Sequence, residues 1–400
     1  MMKRFLLIAG LIWSSSVINA QTYYTDAVNP EIYRPAEVLQ SSRKEIILPQ
    51  VNGYNVYKAD LHTHTIFSDG QVNPDFRLDE AWDDGLDIVA VTEHLEHRPY
   101  EKVFVEYTQK YNNGKYEKAV NNSIGWKAPD KNGIMVDLNY PVNQAQKVAD
   151  KLNLLLVPGI EITRDGTKVG HFNALFTKDN NTVYDPDPVQ SVRNAKAQGA
   201  LVMHNHPGWR RTNLVPTPTE VAIYAERLVD GVEVMNTDEF YPGVIDIARE
   251  NGLFVSANSD IHGSTARDYR LLGYDRPMTL VFAKERTLEA VREALESKRT
   301  LAYGFSTVSG DEQLLKDFFK AGIKASVIRI SSKSVHLAVT NMTSITYLVS
   351  QEGQNPKRMS PFHTVWFSIP LDAKTLDLTV HNMFYSKEGH PVVSLEYQDK

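Results

Sequence analysis

One local pattern repeats between residues 56 and 305 of the chain: a helix-like stretch, a glycine, and a short run of β-branched or apolar residues. The clearest copies carry Gly85, Gly199, Gly231 and Gly252. Because glycine commonly takes the left-handed conformation that ends a helix, each copy predicts a helix, its cap and a strand. Strands that alternate with helices indicate parallel β/α units whose helices cover the strands. Residues 56–305 span about 250 positions, the usual size of a β/α barrel, and we therefore expect one there.

Apolar runs in this region predict further elements of the barrel. Strands are expected at Leu154–Val157, Phe172–Phe176 and Thr279–Phe282, and a helix at Leu288–Glu296. Residues 98–140 break the pattern because they are polar and rich in tyrosine. We interpret them as a long insertion that overhangs the end of the barrel where ligands bind.

The pattern changes again from about Ile323, where short apolar runs alternate with turns. Such spacing is typical of a small antiparallel β-sandwich, which we expect over residues 323–400. Residues 306–322 are interpreted as a linker helix, and residues 21–55 as an N-terminal extension. The chain is therefore expected to contain two folded domains.

Residues 1–20 have the composition of a secretory signal peptide. Two basic residues precede an apolar run from Phe5 to Trp13, and small residues follow as far as Ala20. We therefore expect an exported protein, either periplasmic or secreted. The apolar run is less than half of the ~20 residues that a membrane span needs, and no later run reaches that length, so no span is predicted.

The charge of the chain argues against one class of partner. The chain contains 43 basic and 49 acidic residues, a formal net charge of −6, and no long block of lysine or arginine. A protein that grips DNA or RNA needs a positively charged surface, so no tightly held nucleic acid is expected. The chain has no cysteine, and therefore no thiolate to bind a metal ion.

Histidines gather at the predicted strand ends. Eight of the 12 histidines lie between His62 and His262, and six of these eight stand at or just beyond the end of a predicted strand. The segments are Asp60-Leu61-His62-Thr63-His64, Thr92-Glu93-His94, His204-Asn205-His206-Pro207 and Ser259-Asp260-Ile261-His262. In a parallel barrel these ends meet on one face, and Asp69 and Glu161 add carboxylates there. Imidazole and carboxylate without thiolate suit zinc, manganese or iron, so we expect a cluster of divalent cations.

These segments carry a family resemblance. In order, Asp-Leu-His-Thr-His with Ser-Asp-Gly, Glu-His, Gly-Ile-Glu-Ile, Gly-His-Phe, His-Pro-Gly and Ser-Asp-Ile-His resemble the polymerase and histidinol phosphatase (PHP) superfamily over about residues 56–305. The resemblance implies an α/β fold, a distorted (β/α)7 barrel of PHP type, here followed by the small antiparallel β-sandwich. It also implies two or three bound divalent metal ions and the hydrolysis of phosphate esters.

The resemblance also implies ligands for each ion. The first ion would be held by His62, His64, Glu161 and Asp260; Glu161 would bridge to a second ion that His171 and His206 complete; and a third would be held by Asp69, His94 and His262. His171 is included on the resemblance alone, because it stands at the start of a predicted strand rather than at the end of one.

The chain departs from the usual family pattern in two places. Glu93 precedes His94 where the commoner motif has aspartate, and His204 is a second candidate beside His206. His206 precedes a proline and is the better match to the family motif. We therefore expect His204 and Glu93 to lie beside the ligands rather than to bind metal.

Basic residues that follow the ligands are candidates for binding the substrate. Arg210 and Arg211 follow His206 closely, and Arg164 follows Glu161 by three residues. A guanidinium at such a place clamps a phosphate through two hydrogen bonds, or it lies in solvent, and the sequence leaves both interpretations open.

The expected function is metal-dependent hydrolysis of a small-molecule phosphate ester by a hydroxide that bridges two metal ions. The signal peptide, the insertion and the added sandwich make the chain resemble exported phosphodiesterases of the superfamily, which favours phosphodiesters. The sequence assigns neither a general acid nor an oligomeric state.

Three alternatives to a phosphodiesterase stay open at this point. They are a phosphomonoesterase of the histidinol-phosphatase type, a metal-dependent amidohydrolase, and a binding module in which metal only stabilises the fold. Glu161 together with Ser68-Asp69-Gly70 argues against the amidohydrolase, which usually relies on a lysine or on further histidines. Nine candidate ligands for two or three ions leave positions for water, which argues against a saturated structural site.

Overall fold

Strands alternate with helices along most of the chain. The computed structural model describes residue 31 and residues 43–111, 136–166 and 168–397. The predicted signal peptide, most of the predicted N-terminal extension and the centre of the predicted insertion lie outside these residues. Contacts between residues separate Met1–Ser42 from Arg43–Lys400, and the second of these units contains the fold that follows. Within the described part of the chain, no helix is long and apolar enough to cross a membrane.

The elements up to residue 321 follow the predicted alternation. The strands are β1 (Asn55–Asp60), β2 (Ile88–Val91), β3 (Leu155–Thr163), β4 (His171–Leu175), β5 (Leu201–Asn205), β6 (Gly231–Asn236), β7 (Glu239–Phe240), β8 (Phe254–Asn258), β9 (Met278–Ala283), β10 (Thr300–Gly304) and β11 (Thr307–Gly310). The helices are α1 (Pro74–Asp83), α2 (Glu101–Tyr111), α3 (Tyr140–Leu152), α4 (Pro188–Ala197), α5 (Pro218–Ala225), α6 (Pro242–Asn251), α7 (Thr265–Asp268), α8 (Leu288–Glu296) and α9 (Glu312–Ala321). Short 3-10 turns lie at Asn180–Thr182 and Arg270–Leu272. The predicted helix Leu288–Glu296 is confirmed as α8, and each predicted strand overlaps an observed one.

Local sequence explains where several of these elements begin and end. At the start of α5, Thr217 and Glu220 form a reciprocal capping box. Gly252 takes the left-handed conformation at the end of α6, as the sequence predicts. Gly231 does not act as a cap. It is the first residue of β6, where any larger side chain would overlap the ring of Phe254.

After α9 the chain forms a small antiparallel β domain. Its strands are β12 (Ile323–Ile330), β13 (Ser334–Asn341), β14 (Tyr347–Ser350), β15 (Lys357–Met359), β16 (Thr364–Pro370), β17 (Leu376–Val380), β18 (Met383–Phe384) and β19 (Val392–Leu395). Two sheets form from these strands, in the orders β12-β13-β16 and β15-β14-β17-β19. Along β13, buried Val335, Leu337 and Val339 alternate with more exposed residues, as expected of a sheet with one face on a core.

A mixed sheet of twelve strands forms the wall of the barrel. Its order is β18-β11-β10-β9-β1-β2-β3-β4-β5-β6-β7, and β8 lies beside β6. Parallel pairs join β1 to β2, β2 to β3, β5 to β6 and β6 to β8. Antiparallel pairs join β1 to β9, β3 to β4 and β4 to β5, so the expectation of parallel units throughout is wrong at these places. The short segment 164–170 connects β3 to β4, and a connection of that length joins antiparallel rather than parallel strands.

Side-chain hydrogen bonds link β8 to β9 and β10 and so curl the sheet. The hydroxyl of Thr279 donates to the carbonyl of Ala257 at 3.0 Å, and the hydroxyl of Thr300 donates to that of Val255 at 2.7 Å. The predicted fold class is confirmed: an α/β fold with a curled, half-barrel sheet, followed by small antiparallel sheets.

The apolar core of the barrel continues into the β domain. Phe319 of α9 is fully buried, and its ring meets that of Tyr347 edge to face with the centroids 4.9 Å apart. Phe318 of the same helix meets Phe282 of β9 at 5.9 Å. Strand β18 also pairs with β11 within the large sheet. The linker helix predicted over residues 306–322 forms only as α9, because Thr307–Gly310 pair with β10 as β11 of the barrel sheet. Helix α9 packs against both parts.

Candidate metal centre

Side chains from several strands and loops meet at one end of the curled sheet. All nine residues that the resemblance implies as ligands lie there, in four overlapping groups whose donor atoms are within 4.8 Å of one another. The groups are His64, Asp69, His94 and His262; His62, His64 and Glu161; His62, His206 and Asp260; and Glu161, His171 and His206. The structure thus gathers these side chains from distant parts of the sequence into one cluster.

Backbone hydrogen bonds fix the segment that follows β1. The carbonyl of His62 accepts from the amide of Asp260 at 3.0 Å, and the amide of His64 donates to the carbonyl of Ile261 at 3.2 Å. Alternate residues of an extended chain point the same way, so both imidazoles reach the centre from one segment. Asp260 and His206 have positive φ angles of 50° and 26°, a strained backbone conformation that is concentrated at functional sites.

The antiparallel pairing of β3 with β4 explains the position of His171. Glu161 lies inside β3, which continues to Thr163, rather than beyond the strand as the sequence suggests. His171 is the first residue of β4 and pairs with Thr163. The start of β4 therefore lies at the same edge of the sheet as the end of β3. Nε2 of His171 lies 2.9 Å from the carbonyl of Arg164, and Nδ1 lies 3.2 Å from Glu161.

The carboxylate of Glu161 stands at the middle of the cluster and is fully buried. Its Oε1 lies 3.6 Å from His62 Nε2 and 3.7 Å from His206 Nε2. Its Oε2 lies 3.5 Å from His64 Nε2 and 2.5 Å from His94 Nδ1. The two oxygens therefore face different sets of histidines, which is the arrangement that a bridging ligand requires.

Two further carboxylates complete the cluster on either side of Glu161. Asp260 Oδ1 lies 3.2 Å from His62 Nε2 and 3.1 Å from His64 Nε2. Asp69 Oδ1 lies 3.2 Å from His94 Nε2 and 3.0 Å from His262 Nε2. The Asp69 group is the only one of the four that contains neither Glu161 nor Asp260. It shares His64 with one of the Glu161 groups but is built around a different carboxylate.

The carboxylates of the cluster favour the protonated, positively charged form of a neighbouring histidine. Burial opposes the protonation of His94, but Glu161 and Asp69 outweigh it and raise the pKa of His94 to about 10. Burial also opposes the ionisation of Glu161, but His94 and His62 outweigh it and hold the pKa of Glu161 well below its usual value. The cluster is therefore organised around carboxylates that stay ionised beside groups able to carry positive charge.

Several buried nitrogen and oxygen atoms in the cluster make no hydrogen bond of acceptable geometry among the described residues. They are His62 Nε2, His64 Nε2, Asp69 Oδ1, Glu161 Oε2, His171 Nδ1 and Asp260 Oδ1. A buried polar atom without a partner costs ~1–3 kcal/mol, and bound cations would satisfy all of these atoms together. Imidazole nitrogen and carboxylate oxygen are ligands for divalent ions such as zinc, manganese and iron. The residues present therefore fit more than one divalent ion.

Glu233 supports the cluster from behind, and sequence reasoning missed it. Its Oε1 lies 2.9 Å from His62 Nδ1, and its Oε2 accepts from the backbone amide of His206 at 2.7 Å. Side-chain amides of Asn258 and Asn236 donate to the same carboxylate at 2.9 and 2.8 Å. The available signal was a charged residue in the middle of the buried strand β6, where only apolar residues are expected.

The two residues that were expected beside the ligands differ in what they contact. Glu93 accepts hydrogen bonds from the hydroxyls of Thr65 and Ser68, and the hydroxyl of Ser68 lies 3.5 Å from His64 Nδ1. Glu93 thus orders the loop that follows a ligand. His204 instead lies 3.0 Å from the hydroxyl of Tyr224 and 3.0 Å from Glu220, and none of the candidate metal groups contains it.

The candidate arginines are also in different surroundings. Arg211 donates to both oxygens of Glu220, at 2.9 and 2.7 Å, so its guanidinium is engaged within the fold and is not available to a phosphate. Arg164 forms an ion pair with Glu96 at 2.9 Å. The guanidinium of Arg210 lies over the ring of Trp209 at 4.3 Å and, within the described part of the chain, has no carboxylate within ion-pair distance.

A cavity of about 1390 Å³ opens above the cluster. Candidate ligands Asp69, His171 and Asp260 line its floor. Arg164 and Arg210 also line it, whereas Arg211 does not. Drug-sized ligands occupy cavities of ~300–1,000 Å³, so this one has room for a substrate larger than a phosphate group.

Among the matches with known structures is one that extends along nearly the whole chain. It is a crystal structure from Bacteroides vulgatus, described as a two-domain protein containing a predicted PHP-like metal-dependent phosphoesterase, with 32% identity and a TM-score of 0.77. The match covers 89% of this chain and 99% of that one.

More distant matches are short or weak. A candidate metal-dependent phosphoesterase from Bifidobacterium adolescentis has 17% identity and a TM-score of 0.35, and covers 52% of this chain and 88% of that one. A lesion-specific endonuclease from Pyrococcus furiosus has 15% identity and a TM-score of 0.36, and covers 70% of this chain and 64% of that one. No protein-family model and no curated protein matches the chain.

The resemblance seen in the sequence is confirmed by the first of these matches, which extends over both the barrel and the small β domain. The clustered histidines and carboxylates are consistent with several bound metal ions. The chain belongs to the two-domain PHP-like metal-dependent phosphoesterases.

Proposed function

We propose that the chain hydrolyses phosphodiesters at a centre of two or three divalent metal ions. The observation that carries this proposal is the cavity of about 1390 Å³ at the cluster, which is lined by candidate ligands and also by other residues, among them Arg164 and Tyr274. A phosphodiester carries an organic group on each side of phosphorus and needs this room, whereas a phosphomonoester has an organic group on one side.

The proposed ligands are the nine clustered residues. They are His62, His64, Asp69, His94, Glu161, His171, His206, Asp260 and His262. Divalent ions bound there would supply an acidified water molecule and would neutralise charge on the phosphoryl oxygens. Glu161 would hold ions on two sides, because its two oxygens face different histidines. Glu233 holds His62 and His206 in their orientations from behind.

Arg210 is the proposed contact for a phosphoryl oxygen. Arg164 and Arg267 also line the cavity, but they are paired with Glu96 and Asp268. Arg210 is thus the guanidinium in the described wall whose charge is not compensated. A phosphodiester carries one negative charge, whereas a phosphomonoester carries nearly two at pH 7. One uncompensated cation beside the centre therefore favours the diester.

The test compares two esters of the same leaving group. Purified, metal-loaded protein is assayed with bis(4-nitrophenyl) phosphate and with 4-nitrophenyl phosphate, and its bound metals are measured by elemental analysis. We expect a higher kcat/KM for the diester, together with more than one equivalent of zinc, manganese or iron. A higher kcat/KM for the monoester would favour the phosphomonoesterase instead. Absence of hydrolysis of either ester with metal fully bound would contradict the proposal.

A pair of variants tests the role of Arg210. Arg210→Gln removes the uncompensated charge and should raise KM for the diester by roughly tenfold, the scale of one charge-assisted hydrogen bond, without loss of metal. Arg267→Gln removes the same charge from the same cavity but from an existing ion pair, and should leave KM near the wild-type value. Equal effects of the two substitutions would show that Arg210 has no specific contact.

A further inference from the structure

One wall of the cavity is apolar and aromatic. Leu272, Tyr274 and Phe305 line the cavity together with the candidate ligands. Leu272 and Tyr274 are 65% and 52% exposed, which is high for residues of this kind. The rings of Tyr274 and Phe305 meet edge to face, with their centroids 5.3 Å apart. Exposed apolar surface that lines a cleft marks a place where a ligand binds.

The backbone holds Phe305 at this wall in a strained conformation. Phe305 and Ser306 form the two-residue connection between β10 and β11, and their φ angles are 50° and 59°. Such connections strongly prefer asparagine and glycine, because the left-handed conformation is costly for a bulky side chain. Strain of this kind persists where the surrounding structure imposes it, commonly at ligand sites. The hairpin thus carries a phenyl ring into the cavity at a position where the turn itself would favour another residue.

Hydrogen bonds tie the aromatic wall to the metal centre. The hydroxyl of Tyr269 donates to the carbonyl of Ser259 at 3.2 Å, and Ser259 directly precedes the candidate ligand Asp260. The amide of Tyr274 in turn donates to the carbonyl of Tyr269 at 3.1 Å. Tyr269 is nearly fully buried. The wall is therefore anchored next to a ligand and keeps a fixed place relative to the cluster.

We propose that Leu272, Tyr274 and Phe305 form a subsite for an aromatic group carried by the phosphate ester substrate. This inference rests on the proposed function and names the class of its substrate: esters in which phosphate is attached to an aryl or nucleoside group. A ring that enters the wall adds a third member to the pair of Tyr274 and Phe305 and gains ring–ring contact beyond the area that it buries. The phosphate remains at the centre beside Arg210.

Binding of phosphonates tests the subsite without relying on turnover. Phenylphosphonate, butylphosphonate and methylphosphonate share one charged head and differ only in the organic group. By calorimetry with the metal-loaded protein, we expect phenylphosphonate to bind about tenfold more tightly than methylphosphonate, and more tightly than butylphosphonate. Equal binding of the phenyl and butyl compounds would overturn the aromatic preference. Tighter binding of adenosine monophosphate than of phenyl phosphate would identify the ring as a nucleobase, and the reverse would identify it as a simple aryl group.

Variants of the wall and a matched control locate the preference. The quantity compared is the phenyl-to-methyl ratio, which is the affinity for phenylphosphonate divided by the affinity for methylphosphonate. Tyr274→Ala and Phe305→Ala should each reduce this ratio several-fold, while the bound metal and the affinity for methylphosphonate stay near wild type. Leu271→Ala, at an 80% exposed neighbour that does not line the cavity, should leave the ratio unchanged. An unchanged ratio in both wall variants would overturn the subsite. A phenyl preference in a protein that cleaves no phosphodiester would support the subsite while contradicting the proposed function.

Phe305→Asn separates a binding role from a structural one. Asparagine tolerates a positive φ angle, so this change should relieve strain in the hairpin and raise Tm, while the phenyl-to-methyl ratio falls. A lower Tm with an unchanged ratio would show that Phe305 serves the hairpin alone, and would overturn the subsite.

Discussion

Nδ1 of His62 lies 2.9 Å from Oε1 of Glu233, and both side chains are fully buried. This contact turns Nε2 of His62 towards Glu161 and Asp260, where a metal ion would bind. The second oxygen of Glu233 accepts the backbone amide of His206 at 2.7 Å. One carboxylate thus orients two candidate ligands that come from different strand ends, the function that residues behind a metal site commonly perform.

Glu233→Gln should weaken metal binding without removing a ligand. Glutamine keeps the size of the side chain but replaces one accepting oxygen with an amide NH2 group, which only donates. Its single remaining oxygen cannot replace both carboxylate oxygens as acceptor for His62, His206 and Asn258. We expect a loss of metal affinity of ~10–100-fold, the range for residues that orient ligands. Titration of the metal-free protein with zinc or manganese measures it. Glu226→Gln, at a half-exposed glutamate paired with Arg193, is the control and should bind metal as wild type does.

Glu161→Gln should be the least recoverable substitution in the centre. It removes the charge of the carboxylate whose two oxygens face different histidines, so we expect loss of both metal and turnover. His204→Asn removes an imidazole of similar burial that lies outside the candidate groups. It should retain metal and most of the activity. Elemental analysis and turnover of the two variants give the comparison, and normal metal content in Glu161→Gln with loss in His204→Asn would reverse the assignment.

The sequence carried enough information to predict the cluster because strand ends converge in any barrel of this kind. His62, His64 and His262 follow strands, and their spacing alone predicted that they would meet. His171 could not be placed by that reasoning, since the pairing direction of β4 decides at which edge its first residue lies. Pairing direction depends on contacts between strands that are distant in sequence. Local sequence patterns do not determine these contacts.

Long-range ion pairs account for the other differences. Arg211 follows Arg210 directly, and the sequence does not distinguish them, but in the fold Glu220 lies beside Arg211 alone. Glu233 could not be assigned a role from the sequence for a related reason. The hydrogen-bond donors that stabilise its buried carboxylate come from His62, His206 and Asn258, which are distant in sequence. A buried charge can be interpreted only when its partners are known.

The stabilisation supplied by Glu220 should disappear in acid. Burial opposes the ionisation of Glu220, but its hydrogen bonds with His204 and Arg211 outweigh it and lower its pKa to about 2. In the unfolded chain this pKa returns to its ordinary value near 4.3, so the unfolded state binds more protons between these values. The stabilisation by ionised Glu220 is therefore complete above the unfolded-state pKa near 4.3, and it is lost as the pH falls towards 2.

Glu220→Gln tests this pH dependence. At pH 7 we expect the substitution to lower the free energy of unfolding by ~1–3 kcal/mol, since it leaves buried donors without their charged acceptor. The difference from wild type should hold between pH 7 and pH 5 and shrink below pH 4.5. Urea unfolding at a fixed metal concentration measures it, and a difference that stays constant to pH 3 would count against this origin of the stability.

Removal of metal should affect both the fold and the activity. Glu161, Asp260 and Asp69 lie within one cluster, and several donor atoms there have no other partner in the described chain. A chelator should therefore abolish turnover and lower Tm, because the metal binds the folded state and stabilises it. Calorimetry before and after chelation, followed by addition of a single metal, checks both effects. Full turnover in protein that elemental analysis shows to be free of metal would contradict a metal-dependent reaction.

The barrel and the β domain should unfold together, because one apolar core passes through α9. Phe319 is fully buried against Tyr347, while its neighbour Phe318 packs on Phe282 of the barrel. Phe319→Ala should therefore lower the free energy of unfolding by ~3–5 kcal/mol, as for other buried aromatic residues, within a single transition. Phe76→Ala, at a 46% exposed phenylalanine of α1, is the matched control and should change stability little. Metal affinity and kcat should stay near wild type in folded Phe319→Ala, because no candidate ligand lies in α9. Two separate transitions in calorimetry, with only the later one tied to metal, would show that the β domain folds independently of the barrel.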